Sequence, residues 1–247
     1  MGQKTALVTG GLGGLGSAIC ERLGRAGHAV VTTYTSDKGR VAQWQEHMQG
    51  CGAPSAYAVQ CDVSDWDSCV AMAEEVRNQV GEVDILVNNA GVTQDSSFKK
   101  MSREGWDQVL RTNLDSVFNV TKQFADGMAE RGWGRIINVA SVNGRKGQFG
   151  QCNYAASKAG MHGFTMSLAR ELARKGVTVN TVSPGYLATD MVMEMKEEVR
   201  QQIIETIPVQ RLGEPDEIGS LIAYLASEDA GFITGANVDI NGGLHME

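Results

Sequence analysis

Tyr154 and Lys158 stand four residues apart in "NYAASKAG". On a helix that spacing puts both side chains on one face. A free phenol titrates near pH ~10, too high to trade protons readily near neutrality. A neighbouring ammonium favours the phenolate and lowers that value. A phenol tuned in this way can protonate the alkoxide that forms when a carbonyl is reduced. Ser141 lies upstream with a hydroxyl that can hydrogen-bond the same oxygen. Alone, a tyrosine–lysine pair is more often a surface contact and Ser141 a strand-end serine. The chemistry therefore depends on what else the chain places beside them.

A second chemical feature lies at the other end. "VTGGLGGLGSAIC" follows a short apolar run and opens a helical pattern. It fits G-x-G-x-x-G through Gly11, Gly13 and Gly16, and T-G-x-x-x-G-x-G through Thr9, Gly10, Gly14 and Gly16. In either register the glycines turn tightly and let backbone approach a pyrophosphate at a helix N-terminus. The plain alternative is a glycine-rich strand–helix turn without a ligand.

The elements that must hold these residues follow from hydrophobic patterning. Seven runs read as strands: "TALVTG" (5–10), "AVVTTY" (29–34), "SAYAVQCDV" (55–63), "VDILVNNAG" (83–91), "GRIINVAS" (134–141), "VTVNTVSPG" (177–185) and "ANVDING" (236–242). Between them apolar residues recur at helical spacing, as in Ile19, Leu23 and Ala26, or Phe164, Leu168 and Leu172. Strand–helix alternation with near-continuous apolar strands predicts a parallel sheet covered on both faces. Ligands of such sheets sit at the carboxyl ends of the strands. The polar motifs do fall just after the runs. There is no linker or repeat, so 1–247 reads as one domain.

Composition narrows the function. The formal charge is −7 with no basic run, which disfavours nucleic-acid binding. The five cysteines, Cys20, Cys51, Cys61, Cys69 and Cys152, include no C-x-x-C pair. A disulfide framework and a zinc site are both disfavoured, and no metal is expected. Cys152 is two residues before Tyr154, but a helix directs the two side chains differently. Met1-Gly2 begins a myristoylation pattern that Ala6 breaks. With no signal core or membrane-length apolar run, the expectation is a cytoplasmic protein without a membrane partner.

Thr9-Gly10-x3-Gly14-x-Gly16, Asn88-Asn89-Ala90-Gly91, Ser141, Tyr154-x3-Lys158 and Pro184-Gly185 occur in this order along essentially the whole chain. On these motifs the sequence is identified as a member of the short-chain dehydrogenase/reductase family. The resemblance implies an α/β, single-domain, doubly wound Rossmann fold with a seven-stranded parallel sheet. It also implies a substrate lid around 187–208 and assembly as a homotetramer. Ser141, Tyr154 and Lys158 would be catalytic, with Lys158 also binding the nicotinamide ribose, and Asn113 in "RTNLDS" would hold a water in a proton relay. Cofactor contacts are implied for Gly10, Leu12, Gly13, Gly14, Leu15 and Gly16 of the loop. They are also implied for Val63, Asn89, Ala90, Gly91, Tyr154, Lys158, Pro184, Gly185 and Leu187. Asp62 would bond the adenine amino group and Thr189 the carboxamide. The plainer alternatives are a turn at Asp62 ahead of Ser64, itself a candidate N-cap, and a helix N-cap at Thr189.

A carboxylate ending the second strand would bind the ribose hydroxyls of NAD and repel a 2′-phosphate. Here that end is Thr33-Tyr34-Thr35, and "SDKGR" follows with Lys38 and Arg40. Arg40 can clamp a 2′-phosphate, so the expected cofactor is NADPH, with NADH as the alternative. Asp37 weakens this reading. So does Gly13, where NADP-using relatives often carry a basic residue. Arg40 as an exposed residue at the start of a helix is its plain alternative.

"RGWGRIINVASVNGRKGQFGQCNYAASKAG" and the terminal "NGGLHM" resemble the branch of the family that reduces acetoacetyl-CoA to (R)-3-hydroxybutyryl-CoA for polyhydroxybutyrate synthesis. That resemblance implies contacts to an acyl-CoA from Gln148, Phe149, Gly150, Gln151 and Tyr186, with Ser141 and Tyr154 at the carbonyl. It puts Asp95 and Lys100 near the pocket mouth. A loop that merely presents the helix is the alternative for 148–151, and Gln94 reads as a plain loop residue. Residues 190–206 read as one amphipathic helix whose methionines either line an acyl pocket or serve the core. A reductase of 3-oxoacyl-[acyl-carrier-protein] is the nearest alternative. Its acidic carrier requires a basic patch, for which Arg131, Arg174 and Lys175 are candidates. A non-catalytic dinucleotide sensor is more remote, because Asn113, Ser141, Tyr154 and Lys158 are all present.

Overall fold

Every apolar run becomes a strand. The structure is a computed structural model and describes residues 3–37 and 39–246. Met1, Gly2 and Lys38, named above, lie outside the described residues. The strands are β1 (Thr5–Val8), β2 (Ala29–Tyr34), β3 (Ala56–Gln60), β4 (Ile85–Asn88), β5 (Gly134–Val139), β6 (Val177–Pro184) and β7 (Asn237–Ile240). They form one sheet in the order β3-β2-β1-β4-β5-β6-β7, with every pairing parallel. β4, β5 and β6 are buried along their whole length, which explains why they read as continuous rather than alternating apolar runs.

Helices cover both faces. On one side α1 (Gly14–Arg25), α2 (Arg40–Gly50) and α10 (Pro215–Ala226) bury Ile19, Leu23, Trp44, Met48, Ile218 and Ile222 against the sheet. On the other, α3 (Trp66–Gln79), α5 (Ser116–Arg131) and α7 (Cys152–Leu172) enclose Met72, Val76, Phe124, Met128 and Ala169. The chain order reverses between β1 and β4. A crevice opens there at the strands' carboxyl ends, where an open α/β sheet takes its ligand. Among the described residues no helix is long and apolar enough to cross a membrane.

Three local features differ from the sequence expectation or add to it. Asp65, not Ser64, caps α3, its Oδ1 accepting the Ser68 N–H at 2.7 Å. Both residues are good cap formers, and Ser64 instead donates to Asp62 in a tight turn. The single helix expected over 190–206 is two, α8 (Asp190–Met193) and α9 (Glu197–Thr206). No residue of α9 is buried, and Met193 and Met195 are exposed, so they are not core contacts. Finally, α4 (Arg103–Leu110) runs into α5 through a π turn at Arg111–Asp115.

Candidate active site

The crevice is built first by backbone. Thr9, at the end of β1, accepts the N–H groups of Asn89 and Ala90 on Oγ1, both at 2.9 Å. Asn89 returns a bond from Nδ2 to the Thr9 carbonyl, also at 2.9 Å. The T-G-x-x-x-G-x-G register and "NNAG" thus belong to one structural unit across the switch point. Gly10 adopts φ +69°, a conformation that favours glycine. A Cβ on Gly16 would stand 2.4 Å from the Gly10 carbonyl oxygen, so only glycine lets the loop fold back on α1. Gly13 and Gly14 are different, since a Cβ there meets nothing nearer than 3.7 Å. Gly13 is the N-cap of α1, yet no side chain caps the helix among the described residues and its first turn holds no acid. These unclaimed N–H groups and open glycines fit a pyrophosphate.

Tyr154, Lys158 and Ser141 meet in a cleft of about 440 Å³. Leu15, Asn89, Gly91, Pro184, Gly185 and Leu187 also line it. Ser141 follows β5 and lines the same cleft as Tyr154, and its hydroxyl oxygen accepts the Asn143 N–H at 3.1 Å. Lys158 is almost wholly buried, donates to the Val139 carbonyl at 2.7 Å and sits 5.7 Å from the Tyr154 ring centroid. The electrostatics depart from the sequence expectation. Burial pushes the Tyr154 phenol up, the Ser141 hydrogen bond opposes that, and the Asp95 carboxylate adds to the rise. Burial also lowers Lys158 to about 8. Desolvation therefore dominates the phenol, and Lys158 is not among the groups that shift it.

Asn113 lies on the π turn and is fully buried. Its amide accepts from the Val92 N–H at 2.8 Å and donates to the Val92 carbonyl at 2.9 Å and to Ser157 Oγ at 3.3 Å. It is absent from the lining of the cleft. Instead it fixes the extended chain at Val92, just after β4, and a Cβ on Gly91 would lie 3.3 Å from Asn113 Oδ1. π turns frequently mark functional sites.

The stretch before α7 divides in two. Phe149 is exposed, and Gln148 is exposed with its Oε1 accepting from Lys146 at 2.9 Å. Gly150, at φ +80°, presents its carbonyl to the Ser96 N–H at 2.8 Å. Gln151 is buried and occupied at both ends. Oε1 accepts from Asn143 Nδ2 at 2.9 Å, while Nε2 donates to the two Asp95 carboxylate oxygens at 3.0 and 2.9 Å. It ties α7 to the loop after β4 and leaves no polar atom for a substrate. Asp95 and Lys100 are exposed, and Tyr186 is half-buried just after β6. Asn153 was not legible as a site residue. Its amide donates to the Gln94 and Gly105 carbonyls at 3.2 and 3.3 Å, and its Oδ1 accepts the Tyr154 N–H at 2.8 Å. An asparagine in the first turn of a helix was the available signal.

Asp62 uses Oδ1 to accept from the Ser64 N–H and hydroxyl, an Asx turn at the end of β3, and Val63 is buried beside it. Thr189 stands at the N-cap of α8 without a side-chain cap bond, and its methyl lies across from Gly14. Leu12 is half-buried against the core. Arg40 opens α2, exposed, with Nη2 3.5 Å from the Ser36 carbonyl. Asp37 accepts the Val41 N–H at 2.8 Å, so its carboxylate is engaged in starting α2. The basic patch does not form near the cleft. Arg131 is committed to Glu82 at 2.8 Å and Asp84 at 3.6 Å. It precedes the amino end of β5, as Arg174 and Lys175 precede that of β6. A strand of this length separates them from the cleft by on the order of 25 Å.

Comparison with known proteins agrees with this architecture. A family model described as short chain dehydrogenase matches residues 4–200. The chain is 56% identical over 246 residues to an acetoacetyl-CoA reductase of Cupriavidus necator, covering 100% of both. It is 53% identical over 247 residues to nodulation protein G of Azospirillum brasilense, again covering 100% of both. A 3-oxoacyl-[acyl-carrier-protein] reductase of Haemophilus influenzae is 42% identical over 246 residues, also with 100% coverage of both. With its parallel sheet, its glycine loop at the switch point and these full-length matches, the chain belongs to the short-chain dehydrogenase/reductase family of nicotinamide-dinucleotide oxidoreductases.

Proposed function

We propose that this protein is an NADPH-dependent acetoacetyl-CoA reductase, forming (R)-3-hydroxybutyryl-CoA for polyhydroxybutyrate synthesis in the cytoplasm. The 56% identity over the full chain to the reductase of that name carries the reading. The carrier-protein reductase stands at 42%, and the candidate basic patch for an acidic carrier lies at the far end of the sheet.

When bound, the dinucleotide held by the glycine loop and Lys158 would supply hydride to C3 of the acyl thioester. Tyr154 and Ser141 hold the C3 oxygen, and Tyr154 gives it a proton as alkoxide character develops. A buried phenol with a raised pKa is in the acid form that this step needs. Lys158 spends one N–H on Val139 and keeps two for the nicotinamide ribose. Asn113 fixes the chain at Val92, so its relay water would bond to main chain rather than to the committed amide. Gln151 acts by orienting Asp95. Phe149, Gln148, Gly150 and Tyr186 face the pantetheine arm, with Lys100 toward the CoA phosphates. Residues 187–208 close over the acyl group as a lid, and Thr189 and Asp62 meet the carboxamide and adenine. Arg40 clamps the 2′-phosphate, favoured by the engagement of Asp37 with Val41.

The test is a matrix of acetoacetyl-CoA, longer 3-oxoacyl-CoA thioesters and acetoacetyl carrier protein against NADPH and NADH. The expected result is highest kcat/KM for acetoacetyl-CoA with NADPH. A clear preference for the carrier protein overturns the substrate reading. Unchanged NADPH affinity in Arg40→Ala overturns the phosphate clamp.

A further inference from the structure

Away from the cleft, Glu21, His47 and Cys51 bring three metal-binding atoms together. His47 and Cys51 are four residues apart at the carboxyl end of α2, on one helical face. Glu21 reaches them from α1. Glu21 Oε2 lies 3.1 Å from His47 Nε2, which lies 3.5 Å from Cys51 Sγ. All three donor atoms are within 4.8 Å of one another. Tetrahedral zinc, with nitrogen and oxygen at about 2.0 Å and sulfur at about 2.3 Å, spaces its N and S ligands by about 3.5 Å and its N and O ligands by about 3.3 Å. Two of the three separations, Glu21–His47 and His47–Cys51, match this to a few tenths of an ångström, and the third, Glu21–Cys51, is within 4.8 Å.

We propose that Glu21, His47 and Cys51 form a three-ligand site for a borderline-soft divalent cation of the zinc or cobalt class, with water in the fourth position. The donor set decides the class. Thiolate and imidazole select such ions over magnesium or calcium. Glu21 divides its carboxylate, one oxygen paired with Arg25 and Oε2 turned toward His47. The carboxyl end of α2 adds the negative end of a helix dipole. Burial, and next the Glu21 carboxylate, raise the Cys51 pKa, with Arg25 opposing. The bound cation takes the thiolate, and the thiol proton goes to solvent, leaving a site whose two anions balance the metal charge. Binding therefore strengthens with pH. The cysteine spacing of the sequence hides this site because Glu21 arrives by tertiary packing. A cation here would brace α1, which opens at the glycine loop, against α2, which opens at Arg40.

Cobalt(II) titration of metal-free, reduced protein tests the site without reference to turnover. The expected spectrum has a thiolate-to-cobalt charge-transfer band and tetrahedral d–d bands, with one proton released per cobalt. Cys51→Ser should lose the charge-transfer band, and His47→Ala should weaken binding at least about tenfold. Cys152→Ser, which removes the exposed thiol beside Tyr154, should retain both. His47 and Cys51 are not core residues, and unchanged far-UV dichroism of each variant secures the comparison. No charge-transfer band in the parent protein overturns the proposal. So does a band that survives in Cys51→Ser, undiminished binding in His47→Ala, or a band that disappears in Cys152→Ser.

Discussion

Burial disfavours the charged form of both Tyr154 and Lys158, with opposite effects on their pKa values. The phenol is held as an acid, while the ammonium loses its proton near pH 8. Replacing Tyr154 by Phe keeps the ring packing and removes only the acid. Turnover should fall by about 10²–10⁴-fold with NADPH affinity within about twofold, measured by steady-state rates and fluorescence titration. Near-normal turnover would remove Tyr154 from the mechanism. Lys158 gives a pH signature of its own. Below pH 8 folded and unfolded chains both carry its proton, and the full cost of burying the charge is present. From pH 8 to 10.5, the span between its folded and ordinary values, only the unfolded chain holds that proton. Stability then rises with pH on this account, by on the order of 3 kcal/mol. Urea midpoints of the parent protein should therefore improve relative to Lys158→Met across that window, while activity declines as the ammonium is lost. A constant difference between the two proteins would contradict the assigned burial cost.

The glycine loop shows what an element asks of single positions. Gly16→Ala forces a Cβ against the Gly10 carbonyl oxygen at 2.4 Å and should destabilise the fold by about 1–3 kcal/mol. Gly14→Ala meets nothing closer than 4.0 Å, so the midpoint should stay while cofactor affinity falls. Paired melting curves and dinucleotide titrations separate the two roles, and equal loss of stability in both variants would refute the division. The same contrast explains what was legible in the sequence. Strands buried on both faces announce themselves as continuous Val- and Ile-rich runs, and Tyr154-x3-Lys158 is a local helical spacing. The break between α8 and α9 carries no Gly or Pro in "MVMEMKEEV", so nothing local signals it. The Asn143–Gln151–Asp95 chain joins a short helix, α7 and a loop. Asn113 enters the sequence reading only through the family resemblance, because its π turn, and hence its pairing with Val92, is a tertiary property. Glu21 and Cys51 are thirty residues apart and meet only because α1 packs on α2.

On the whole molecule, the apolar surface is not evenly spread. Trp66 and Phe118 stack with ring centroids 5.9 Å apart and planes inclined by 24°, yet they are 42% and 53% exposed. Arg111, Leu114, Asp115 and Phe164 line the groove beside them. Scattered exposed apolar residues need no explanation, but a stacked, half-exposed aromatic pair bordering a groove of mixed polarity is a candidate contact surface. This favours a face where copies of the chain would meet in the homotetramer that the family resemblance implies. It would also reach the chemistry. The π turn turns Arg111 and Leu114 toward this groove and Asn113 toward Val92, so packing on the outer side would brace the turn that fixes Gly91. Phe118→Glu puts a charge at the centre of the face, where a second copy would have to desolvate it. Light scattering should then show a smaller assembly than the parent protein at equal concentration. Turnover should fall with it, recovering in part as protein concentration rises. A variant with the parent mass would mean that this face is not an interface. A dissociated variant with full turnover would mean that the π turn holds Asn113 without help from a neighbouring copy.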